Sequence, residues 1–181
     1  MSNRIFVALC AAYVGLIILA NWLASLAPAH VMTVWPTDYI APYAVGIIGL
    51  VLVMRDWIQQ ARGLWYAIPL MLVAGVTSYL IGLATGWSIQ KIALASIAAF
   101  VVSESVEALV FTPLRKRWFV TSVALSATVG VALDSYAFLS LAFGSLAFFW
   151  GQFWGKLLYG VLFGVILTAL RRRKLPVPAR A

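Results

Sequence analysis

The chain has 181 residues, of which 64% are hydrophobic and only 10% charged, and its formal charge is +8. So little charge excludes an ordinary soluble domain, in which about a quarter of the residues are charged. The basic excess does not indicate nucleic acid either, because it gathers in short stretches between or after apolar runs.

The first such run, IFVALCAAYVGLIILANWLASLA, follows Arg4 and is about twice as long as a signal-peptide h-region. It predicts a permanent helix over roughly residues 5–27. The connection PAHVMTVWPT carries two prolines and an interfacial tryptophan. A second span over roughly 38–54 contains Pro42 and Gly46 and predicts a short, interrupted helix. Backbone groups freed by such a break need protein or a water-filled cavity beside them. Trp35, Tyr39 and Tyr43 would place aromatic faces at that break, although Trp35 equally suits the membrane interface. MRDWIQQARG reads as a loop in which Arg55 and Asp56 pair locally or cap a helix.

Four further spans are expected over roughly 64–85, 92–113, 119–140 and 148–170, separated by the turns GLATGWSIQ and FGSLAFFWG and by the basic stretch RKRW. β-Barrel alternation is absent, so the spans are read as helices that satisfy their own backbone. Residues 1–170 form one expected transmembrane domain, and the basic tail 171–181, RRRKLPVPARA, reads as a stop-transfer and anchor to anionic lipid. The 13 lysines and arginines fix the expected orientation. With the N-terminus inside, Arg4, Arg55, Arg62, Arg115–Arg117, Arg171–Lys174 and Arg180 are cytoplasmic, Lys91 lies outside and Lys156 falls within a span. The expected fold class is therefore all-α and polytopic, with six transmembrane helices and both termini cytoplasmic.

The carboxylates carry the functional question. Glu104 and Glu107 interrupt ASIAAFVVSESVEALVF, where an unpaired charge at mid-membrane costs about 3 kcal/mol. At 100° per residue, Ser96, Phe100, Ser103, Glu104, Glu107 and Phe111 share one face of helix four, opposite Ala98, Val101, Val102 and Leu109. These two glutamates either fix helix packing or line a solute path. On helix five, Ser126, Gly130 and Asp134 recur every fourth residue; on helix six, Gln152, Lys156, Tyr159 and Phe163 align in the same way. Helix rise puts Lys156 and Asp134 at similar depth, so a pair between them is expected, leaving Glu104 nearer the midplane and available. Asn21, late in helix one, serves either as interhelical glue or as a ligand contact.

Carboxylates, a lysine, amides and rings around one cavity suit a flat, hydrogen-bonding solute such as a nucleobase. A carboxylate accepts two parallel N–H bonds from a guanine-like edge, and aromatic faces stack on the ring. A single histidine, His30, and a single cysteine, Cys10, leave no multi-histidine or cysteine-rich metal site and no cofactor signature. GxSxG, HExxH and phosphate-loop motifs are also missing, so the expectation is a carrier and not an enzyme, without an ATPase of its own.

The chain resembles the VUT family of queuosine-precursor transporters over nearly its whole length. The resemblance rests on the Ala20–Asn21 pair, on WPTDYIAPYAVGIIGLVLVMRDWIQQARG, on KIALASIAAFVVSESVEALVFTPLRKRW, and on ALDSYAFL and GQFWGKLL. Glu107 departs from it, since many members have aspartate there. The resemblance implies a multi-pass protein of the bacterial cytoplasmic (inner) membrane that takes up 7-deazaguanine precursors of queuosine, such as the 7-cyano and 7-aminomethyl forms. It carries site roles most directly onto Asn21, Glu104, Asp134, Gln152 and Lys156. Together with the readings above, the expected binding residues are Asn21, Trp35, Tyr39, Tyr43, Phe100, Glu104, Glu107, Asp134, Gln152 and Lys156. The expected partners are the solute and the lipid bilayer, with no nucleic acid; a homodimer stays open. The alternative is the substrate-binding subunit of an energy-coupling-factor vitamin transporter. That role requires a partner ATPase module, for which Ala8, Ala11, Ala12 and Gly15 offer a docking face.

Overall fold

The computed structural model describes residues 3–27, 29–85, 89–114 and 118–173. Six helices carry the fold: α1 Asn3–Ser25, α2 Ala44–Arg62, α3 Leu64–Thr85, α4 Gln90–Leu114, α5 Phe119–Phe143 and α6 Phe149–Arg173. Each is long and apolar enough to cross a membrane, which makes this a membrane-embedded, essentially all-α protein. Five of them sit within a few residues of the expected spans, and α6 runs on to Arg173. The basic tail from residue 174, the stretch 115–117 and Trp87 lie outside the described residues.

The second span differs. Residues 31–42 form a small antiparallel hairpin, β1 Val31–Thr33 with β2 Ile40–Pro42, in the register Val31 to Pro42 and Thr33 to Ile40. Thr37 closes its turn, donating through N and Oγ1 to the Val34 carbonyl at 2.7 and 2.5 Å. Pro42 does not break a helix: it ends a strand, where a missing N–H is harmless, and α2 begins at Ala44. From there α2 runs unbroken through Gly46 and takes in MRDWIQQAR, which the sequence reading assigned to a loop. Gly63 ends it at φ 87°, donating its N–H to the Gln59 carbonyl at 2.8 Å, and α3 starts at the next residue.

The helices pack around two apolar centres. Phe6, Tyr13 and Ile17 of α1 meet Val51, Met54 and Ile58 of α2 and Ala67, Met71 and Ala74 of α3. Nearer the hairpin, Ala20 and Ala24 meet Ile92, Ala95 and Ala99 of α4 and Phe138, Leu139 and Ala142 of α5. The hairpin, through Val34 and Ala41, and the start of α2, through Val45, seat on α6, and a Cβ on Gly151 would strike the Ile40 backbone. Small residues are what permit this approach. The expected outward side of α4 is exposed at Val101, Val102 and Leu109, whereas Ser103 on the opposite side is buried.

Candidate functional site

A cavity of about 450 Å³ lies among α1, α2, α4, α5 and α6, with Met71 of α3 at its edge. It runs from the level of Gln152, near the hairpin, to that of Asp56 and Gln60, near the α2–α3 turn. Its wall is mostly apolar, with Phe100, Phe138 and Trp57 contributing rings. Size and lining are those of a small-molecule site.

Three polar groups of the wall, Asp134, Gln152 and Lys156, come from the α5–α6 side. Lys156 Nζ donates to Asp134 Oδ2 at 2.6 Å and to Ser135 Oγ at 3.1 Å. The ammonium also stands 6.0 Å from the centre of the Phe138 ring. The pair expected from helix rise is thus formed, and Lys156 is buried at 4% exposure. One turn closer to the hairpin, Gln152 is 5% exposed, and its Oε1 is buried without a hydrogen-bond partner among the described residues. A buried acceptor left unsatisfied costs about 1–3 kcal/mol, so this atom calls for a donor.

A second cluster joins α2 to α4. Arg55 lies inside α2, and its guanidinium donates to Glu104 Oε1, to Asp56 Oδ1 at 3.0 and 3.1 Å, and reaches Glu107 Oε2 at 3.8 Å. Gln59 adds a long bond to Glu104 Oε2 at 3.5 Å. Arg55 was not expected here, because a charged, glutamine-rich stretch reads as a loop when its carboxylate partners on another helix are unseen. Among the described residues, Arg55 is the base that meets both Glu104 and Glu107. Consequently Glu104 is not free at the midplane: it is engaged by Arg55 and stands outside the cavity wall, while Glu107 is part of that wall. Gly130 of α5 lets Glu107 lie close, since a Cβ there would fall 2.9 Å from its Oε2.

Asn21 is buried in a three-helix network. It donates through Nδ2 to Ser78 Oγ at 3.1 Å and accepts from Ser96 Oγ at 2.7 Å, while Ser78 donates to the Ala74 carbonyl. It ties α1 to α3 and α4 and also lines the cavity.

Of the ten expected binding residues, Asn21, Phe100, Glu107, Asp134, Gln152 and Lys156 line one cavity. Trp35, Tyr39 and Tyr43 do not: they sit on or beside the hairpin, exposed at 80%, 45% and 45%. Their placement follows from the strand that replaces the expected helix break. Tyr39 stacks on Trp150 with centroids 6.3 Å apart, and Tyr43 meets His30 edge-on. Sequence reasoning missed Arg55, Ser78 and Ser135, and also Trp57 and Phe138 in the cavity wall. No family model, curated protein or solved structure matches the chain.

Proposed function

We propose that this protein is a membrane transporter that imports a small planar, nucleobase-like solute, specifically a 7-deazaguanine precursor of queuosine. The observation that carries the reading is the buried amide of Gln152, whose acceptor lacks a donor among the described residues, in a mostly apolar cavity of ligand size. A heterocycle with a ring N–H supplies that donor, and Phe100 and Phe138 offer faces to its ring. Lys156 and Asp134 hold each other and add charge-assisted hydrogen-bonding capacity beside it. The motifs resembling the VUT family support the same solute class. In this reading both termini and the α2–α3 turn are cytoplasmic, in a bacterial inner membrane. The cavity end at Asp56 and Gln60 is then the cytoplasmic one, where both residues are exposed.

A second reading is supported by one feature. Ala8, Ala11, Ala12 and Gly15 of α1 are all exposed, Ala8 and Ala11 edge a shallow groove, and among the described residues nothing stands within 4 Å of a Cβ built on Gly15. That surface fits a coupling subunit of an energy-coupling-factor transporter, and co-purification with an ATPase module would favour it.

The test is nutritional. Bacteria unable to make 7-deazaguanines but able to insert them into tRNA are supplied with the cyano or aminomethyl compound at low concentration. Expression of this chain should restore modified tRNA, and no gain over the empty vector would count against the proposal.

A further inference from the structure

The charges around the cavity do not balance. Among the described residues, Arg55 alone answers Asp56, Glu104 and Glu107, while the other cation of the cavity wall, Lys156, is committed to Asp134 at 2.6 Å. Asp56 is half exposed and can be hydrated, and Glu104 holds the close contact with Arg55. Glu107 is left with the longest contact, 3.8 Å, yet its side chain is three-quarters buried and forms part of the cavity wall. Among the described residues, α5 presents Gly130 to it, and Asp134, one turn along, is already paired with Lys156. A carboxylate so placed gains from a cation brought in by a ligand, since charged groups inside a membrane are paired or face a polar cavity.

The orphaned Oε1 of Gln152 is an independent sign that this same cavity awaits a ligand. The two demands are separated along the bundle. Glu107 lies at the level of Gly130, Asp134 is four residues further along α5, and Gln152 is four residues beyond Lys156 on α6. Eight residues at ~1.5 Å each put the two levels about 12 Å apart. Two long side chains and a two-ring heterocycle span that interval.

We propose that Glu107 is the counter-ion for a protonated amine on the transported solute, so that the cavity prefers an aminomethyl-bearing 7-deazaguanine to the neutral cyano form. This rests on the transport reading and names the charge its solute carries. Gln152 takes a ring N–H, and Glu107 takes the ammonium at the other end.

The experiment is equilibrium binding of the two compounds to the purified full-length protein at neutral pH. A charge-assisted contact in this setting should favour the aminomethyl compound by roughly tenfold to a hundredfold. Glu107→Gln should abolish that preference by weakening the aminomethyl compound alone, whereas Gln152→Ala should weaken both compounds and keep their ratio. Equal binding of the two compounds, or tighter binding of the cyano form, overturns the inference even if Glu107→Gln fails to fold, because wild-type protein decides it. Binding of neither compound overturns this inference and the proposed solute class together.

Discussion

Lys156 and Asp134 meet as an ion pair between neighbouring helices, Nζ to Oδ2 at 2.6 Å, with Ser135 accepting a further bond from the same ammonium at 3.1 Å. Removing one partner strands the other charge in a low-dielectric setting, which costs about 3–5 kcal/mol. Lys156→Ala and Asp134→Ala should each lower the unfolding temperature of the detergent-purified protein substantially. The double variant should be less damaged than the sum of the two. Strict additivity would show that the observed contact contributes nothing.

Arg55 gives the matching prediction on the α2–α4 side. Glu104→Gln keeps a neutral acceptor for the guanidinium but loses the charge-assisted bond, for about 1.5–3 kcal/mol of stability. Because Glu104 stands outside the cavity wall, solute affinity of the folded variant should change by no more than about twofold. Arg55→Ala should be worse, by about 3–5 kcal/mol, since Glu104 and Glu107 both lose their cation. A folded, stable Glu104→Gln protein that has lost solute affinity would contradict this division of roles.

Two glycines of one helix should respond oppositely. A Cβ on Gly49 would lie 2.6 Å from Tyr159 Cβ and 2.9 Å from its carbonyl carbon, where α2 crosses α6. Gly49→Ala should therefore cost about 1–3 kcal/mol through overpacking. Gly46 has nothing within 4 Å of such a Cβ. Gly46→Ala should be neutral or stabilising, by up to about 1 kcal/mol of helix propensity. Thermal unfolding of both variants checks the packing of α2 on α6.

Orientation is open to labelling because Cys10 is the sole cysteine. In a Cys10→Ser background, cysteines replacing Thr33 and Gln60, both exposed, report the hairpin end and the turn end. An impermeant maleimide applied to whole cells should label position 33 and spare position 60. The reverse pattern would invert the proposed topology.

How much of this was legible beforehand depends on what each residue depends on. Five helices follow from apolar runs alone, because lipid demands internal backbone pairing and the demand is local. Residues 31–62 were harder. Their apolar and aromatic content suits either a strand or a helix, and the close approach of the hairpin to α6 depends on Gly151 and Gly155, which lie far away in the sequence. The charged part of α2 becomes admissible inside a bundle only when Glu104 and Glu107 face it, which is a tertiary fact. The Lys156–Asp134 pair was legible because two antiparallel helices joined by a short turn fix relative depth. The role of Glu104 was not, since its partner had been assigned to a loop. Of the two glutamates, Glu107 is the one that reaches the cavity.

The most direct measurement of the central claim uses the purified protein alone in sealed liposomes. Radiolabelled 7-aminomethyl-7-deazaguanine is added outside, and accumulated label is followed over minutes. Saturable entry above protein-free liposomes, lost in Gln152→Ala and competed by unlabelled compound, is the predicted result. Entry no greater than that of empty liposomes, from protein shown to be folded, would contradict an autonomous transporter of this solute.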